Sequence, residues 1–185
     1  MTTTLQQHQS ADRPLTAVLD AVPAGGWEAP SPCEGWTARD VVAHLVDTQR
    51  ELFATHGVDL GEAPDLSADP AAAWREHARR VAAALADPSV PAIAYDGWFG
   101  PTTLGATLEQ FYVWDMLVHR WDVARAVGAG STGGTFSEAE LDRVEGGADG
   151  FGEAIHGEGV CRPGVEAPVG APREVRVLAR LGRTA

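Results

Sequence analysis

The sequence predicts an all-α fold, a four-helix bundle with one long crossover, and three observations predict it. Apolar residues recur at helical spacing almost throughout the 185-residue chain. Four segments carry that spacing between recognisable start and stop signals. Between the second and third lies a stretch rich in Gly, Pro and Asp, long enough to run from one end of a bundle to the other. No period repeats along the chain, which argues against a solenoid.

The first helix is expected over about residues 14–22, with an earlier start left open, and stops at Pro23 and the Gly25-Gly26 pair. A loop over 27–36 holds Pro30 and Pro32 and ends at Thr37, which with Asp40 makes a capping box with the shorter acid. The second helix runs to about residue 54 on a stripe of Val41, Leu45, Thr48 and Leu52. Residues 56–69 form the crossover. The third helix, about 70–86, carries Trp74, Ala78, Val81 and Leu85 on one side. Residues 88–103 read as irregular, with 92–95 a candidate short strand. The fourth helix, about 105–127, is the longest and most apolar. Ser137 with Glu140 opens a fifth, and residues 173–181 suit a last short helix ending at Gly182. The whole chain, 1–185, reads as a single domain whose part from about 130 onward is a Gly/Pro-rich extension with one or two short helices.

Composition narrows the function. All 14 basic residues are arginine, and neither lysine nor asparagine occurs. That excludes Schiff-base lysine chemistry, a P-loop and a kinase-like site. The 26 acidic residues leave a net charge of −12, so a nucleic-acid partner is not expected. Cys33 and Cys161 are too few for a disulfide framework or a four-thiolate zinc site, though one bridge between them stays open. Residues 1–10 are polar, unlike a signal peptide, and no apolar run approaches the roughly 18 residues of a membrane span. A soluble cytoplasmic protein with no membrane partner is the expectation.

One constellation carries chemistry. Along the fourth helix Leu108, Phe111, Asp115, Val118, His119 and Asp122 recur every three or four residues. Asp115 and His119 therefore share a face one turn apart, close enough to chelate one ion. That face is apolar, and a carboxylate pointed into a core costs several kcal/mol unless paired or bound to metal. His44 takes a matching place on the second helix. Two imidazoles and one carboxylate leave open positions, as catalytic rather than structural sites do. The same residues can instead hydrogen-bond one another, with His44 on a backbone carbonyl. Other patterns lack their context. Gly128, Gly130 and Gly133 follow a helix rather than a strand, and His156-x-Glu158 before Cys161 lacks the Pro-Cys-x-x-Cys motif that a zinc deaminase needs.

Residues 27–46, WEAPSPCEGWTARDVVAHLV, and 115–128, DMLVHRWDVARAVG, resemble the two signatures of the DinB-like metalloprotein superfamily in its mycothiol-dependent maleylpyruvate isomerase branch. The ending LARLGR, 178–183, resembles the tail of that branch's small actinobacterial members, and the missing Lys and Asn suit such a high-GC background. The resemblance implies a DinB-like four-helix bundle with His44, Asp115 and His119 as ligands of a divalent metal. Zn2+ suits those ligands, and Ni2+ or Fe2+ fits them too. The branch more often has Glu at the acid position, so Asp115 requires closer helices or a bridging water.

What the resemblance implies for function is an enzyme using mycothiol or another low-molecular-weight thiol as co-substrate. It would present a metal-activated thiolate to a small-molecule electrophile, as an S-transferase or isomerase. The isomerase itself carries a further C-terminal domain, so transferase ranks ahead here. A metal-water-dependent hydrolase or lyase, and a non-catalytic metal- or small-molecule-binding protein, remain the alternatives. A homodimer is left open.

Further residues support the site. Asp122, and less so Asp47, stand where each can orient an imidazole. Trp36 and Trp121 match motif tryptophans, as packing first. Trp36, with Tyr95, Trp98 and Phe99, is expected to line a substrate pocket. Cys33 reads as packing just before the second helix, His77 as a satisfied core histidine, and His8 and His56 as exposed. Arg39, Arg120 and Arg125 are anion-recognition candidates that surface ion pairs explain equally well.

Overall fold

Helix α1 (Thr4–Asp20) starts well upstream of Pro14 in the computed structural model, which describes residues 2–128, 133–157 and 161–184. The start signal is a capping box. Thr3 Oγ1 accepts the Gln6 N–H, and the Gln6 side chain accepts the Thr3 N–H. Pro14 is interior, not the first helical residue. Its missing N–H deprives the Ser10 carbonyl of a donor, which is tolerable because Ser10 is exposed. The longer helix turns His8, Ala11, Leu15, Val18 and Leu19 inward, so His8 is buried and not exposed as expected.

Helix α2 (Ala38–Thr55) opens on the Thr37–Asp40 capping box, and Asp69 caps α3 (Pro70–Leu85) through the Ala72 N–H. The crossover between them is held by arginine. Arg80 donates to the Leu60 and Glu62 carbonyls, Arg50 to Gly61, and Arg39 to Leu66 and Ser67. A guanidinium presents several donors in a planar fork, which suits it to pinning loop carbonyls.

Residues 88–103 are more ordered than expected. Strands β1 (Ala94–Gly97) and β2 (Gly100–Thr103) form an antiparallel hairpin with Ala94 opposite Thr103 and Gly97 opposite Gly100. Thr103 then caps α4 (Leu104–Thr107). The expected fourth helix is not uniform. A π-helical segment, Leu108–Tyr112, separates α4 from α5 (Val113–Ala126). Its wider turn inserts one residue and breaks the face expected to run unbroken from Leu108 through Asp122.

In the first unit, residues 1–134, helices α1 and α2 each pack on both α3 and α5, which makes the four-helix bundle. Helix α5 is buried on nearly every side, from Val113 to Ala124, with Asp115 only partly so. A hydrophobic cluster of Leu52, Phe53, Leu60, Val81, Leu85, Leu104 and Leu108 closes one part of the core.

The second unit, residues 135–185, holds α6 (Glu138–Phe151), capped by Ser137 and Glu140, and α7 (Arg173–Arg180). Arg173 joins the two helices through Glu138, Asp142 and Glu145. Gly182 ends α7 at φ 75°, with the Arg183 N–H returning to the Leu178 carbonyl and the Gly182 N–H to Ala179. Among the described residues the chain is thus helical with one small hairpin. No helix among the described residues is long and apolar enough to cross a membrane.

Candidate metal centre

Packing of α2 against α5 brings His44 and Asp115 together across 71 positions of sequence. The two oxygens of Asp115 divide between two imidazoles. Oδ2 lies 3.0 Å from His44 Nε2 and Oδ1 lies 3.2 Å from His119 Nε2. The shorter acid therefore reaches both rings directly. One ligand atom each from His44, Asp115 and His119 lie within 4.8 Å of one another, a spacing one ion can span.

Asp122 faces the other side of His119. Its Oδ2 accepts the Nδ1–H of that ring at 2.8 Å, and Asp122 is fully buried. This bond fixes the ring so that Nε2 is directed at Asp115. Burial depresses the His119 pKa, but the Asp115 charge and hydrogen bonds to Asp115, Asp122 and Cys33 outweigh it and hold the ring well above the ordinary histidine value. Burial likewise pushes Asp115 up, and the two histidines pull it well below the usual carboxylate range.

The loop before α2 supplies two residues. Trp36 lies 5.0 Å from the His44 ring and 6.1 Å from the His119 ring, centroid to centroid, and so covers both. Cys33, read as packing, reaches the site. Its Sγ is 3.5 Å from Asp122 Oδ2, and Cys33, His119 and Asp122 form a second group with ligand-like spacing. The loop is folded to do this by the Ser31 N–H to Trp36 carbonyl bond at 2.8 Å and the Trp36 N–H to Cys33 carbonyl bond at 3.0 Å. In sequence Cys33 is 89 positions from Asp122, and nothing local in it signals their meeting. Both cysteines are free thiols.

Other candidates fall elsewhere. Asp47 is exposed on α2, and no bond joins it to His44 among the described residues. Tyr95 donates its hydroxyl to Thr107 Oγ1 at 2.5 Å and stacks on His56, which is half-buried rather than exposed. Phe99 stacks on Phe111. Trp98, at the hairpin tip, is 93% exposed, because a two-residue turn carries it into solvent. Trp121 and Arg120 are buried, Arg39 pairs with Glu28, and Arg125 is exposed. Gly130 and Glu158, members of the two patterns that lack their context, lie outside the described residues.

Comparison with known proteins identifies the family. Residues 8–124, which contain the whole candidate centre, match the family described as the mycothiol maleylpyruvate isomerase N-terminal domain. Two uncharacterized proteins of Mycobacterium tuberculosis, from strains CDC 1551 / Oshkosh and ATCC 25618 / H37Rv, are similar. Each is 26% identical over 140 residues, covering 67% of this chain and 67% of the relative. No solved structure matches. The chain belongs to the mycothiol maleylpyruvate isomerase N-terminal domain family, which is DinB-like.

Proposed function

We propose that this family member binds a divalent cation through His44, Asp115 and His119 and serves a low-molecular-weight thiol, mycothiol by the family's description, in its transfer to a small electrophile. The observation that carries the reading is the placement of one carboxylate between two Nε2 atoms, with a second acid behind one ring. Two imidazoles and a carboxylate suit Zn2+, and Ni2+ or Fe2+ accept the same set. When bound, the cation supplies positive charge that brings a thiol's pKa toward neutrality.

The chain's own residues do the rest. Asp122 holds the His119 ring in one orientation, and Asp115 places its charge between the two rings. Trp36 keeps water from one side of both imidazoles. The side chains of His44 and Asp115 remain 24% and 22% exposed, which leaves an approach for a thiol and its acceptor. Transfer breaks the thiol S–H bond and forms a sulfur–carbon bond, either by addition across a double bond, with the proton delivered to the neighbouring carbon, or by displacement of a leaving group that departs with its electron pair while the proton passes to solvent. Isomerisation adds the thiol across a double bond and eliminates it after rotation.

Elemental analysis of protein purified without added metal, followed by thiol titration of the Co2+-substituted protein, tests this reading. A sulfur-dependent change in the Co2+ spectrum is expected. Absence of metal, together with unchanged uptake in His44→Ala, would sink it.

A further inference from the structure

Between α1, α2 and α3 lies a second polar group, apart from the metal centre, made of His8, Gln49 and His77. All three are completely buried. The His77 Nε2 and Gln49 Oε1 are 3.1 Å apart, and since an amide oxygen only accepts, His77 donates there. Among the described residues, that bond leaves four nitrogens without a hydrogen-bond partner: His77 Nδ1, Gln49 Nε2 and both ring nitrogens of His8. Gln49 and Asp12 are the polar neighbours of His8. The Oδ1 of Asp12 is already shared by Trp74 Nε1 at 2.8 Å and Thr16 Oγ1 at 2.9 Å.

Each buried polar atom left unsatisfied lowers a folding constant by on the order of tenfold, so several in one core demand a partner. Its chemistry follows from the orphans. Neutral His77 presents a lone pair at Nδ1, and the Gln49 amide presents N–H donors. Neutral His8 presents one lone pair and one N–H. A metal ion needs lone pairs only and would face the amide hydrogens. An anion needs donors only and would face the His77 lone pair. Water donates and accepts at once, and buried waters make two to four such bonds.

We propose that His8, Gln49 and His77 enclose an internal water site, in which water donates to His77 Nδ1 and accepts from Gln49 Nε2, with His8 completing its shell. The site joins three helices of the bundle through one solvent molecule and is independent of the cation reading.

A crystal structure of the full chain that resolves ordered solvent tests it. Expected is a water peak about 2.7–3.2 Å from His77 Nδ1 and from Gln49 Nε2 or a His8 ring nitrogen. Direct pairing of these nitrogens, a dry gap, or an anomalous metal signal there would overturn the proposal. In solution, long-range 15N NMR of the unaltered protein is expected to show His77 as the Nε2–H tautomer, and the opposite tautomer overturns the assignment. Finally, 17O relaxation dispersion on the triple variant His8→Leu, Gln49→Met, His77→Leu is expected to show one fewer long-lived internal water. A folded variant with an unchanged count contradicts it.

Discussion

His119 donates its Nδ1–H to Asp122 at 2.8 Å, and this one bond determines which nitrogen of the ring meets Asp115 and His44. The buried acid thus acts on the candidate centre without being one of its three ligands. Orienting partners of this kind typically change metal affinity 10–100-fold.

Asp122→Asn is therefore expected to keep cation binding and weaken it by about 10–100-fold. His44→Ala and His119→Ala remove a ligand each and are expected to abolish tight uptake. Competition against a chromophoric chelator measures both effects. Equal losses in all three variants would contradict the supporting role of Asp122.

Cation uptake is expected to release a proton near neutral pH. His119 is held protonated by Asp115 and its hydrogen bonds against the effect of burial, and its Nε2 must be free to ligate. Calorimetry in buffers of different ionisation enthalpy reads the proton directly. A binding heat that does not vary with buffer would show that His119 does not ligate through Nε2.

Acid should destabilise the fold through the buried histidines. Burial pushes His77 down to about 3, aided by the nearby His8, Arg50 and Arg80. Burial also lowers His8, against the opposing effects of Asp12 and Gln49. Unfolded, both titrate near 6.5, so below that pH the unfolded chain binds more protons than the folded one. The stability contributed by neutral His8 and His77 is full above about pH 6.5 and falls as the pH drops toward 3, by at most about 1.4 kcal/mol per pH unit for each of these two histidines. Urea unfolding across this range checks it, and His77→Leu is expected to flatten the slope.

Two glycines predict opposite signs. A Cβ at Gly105 would lie 2.8 Å from Pro91 Cβ and 2.9 Å from the Pro91 carbonyl oxygen, so Gly105→Ala is expected to cost about 1–3 kcal/mol. Gly146, in α6, has open space at its Cβ position, so Gly146→Ala is expected to stabilise its helix by up to about 1 kcal/mol. Thermal or urea melts of the two variants give the comparison.

Much of the fold is legible in the sequence because local signals specify helix ends. The Thr37–Asp40 and Ser137–Glu140 boxes stand where the sequence places them, and Gly182 ends α7. The Thr3–Gln6 box carries the same signal for α1, but Pro14 resembles a helix start and masks it. The π segment has no local cue. Leu108 and Phe111 keep ordinary helical spacing in sequence whichever hydrogen-bond ladder the backbone adopts.

By itself, the sequence determined the helical class, the bundle's four main helices and the shared helix face of Asp115 and His119, because these depend on spacing along one chain segment. Its arginine-only basic complement also excluded lysine chemistries, since composition alone decides which side chains are available. Tertiary structure alone decided that Asp115 stands between His44 and His119, that Cys33 reaches Asp122, that His8 meets the Gln49–His77 pair in the core, and that Trp98 is left in solvent. Those relationships join residues from different elements. Their distances follow from how helices and loops pack against one another, which no local spacing encodes.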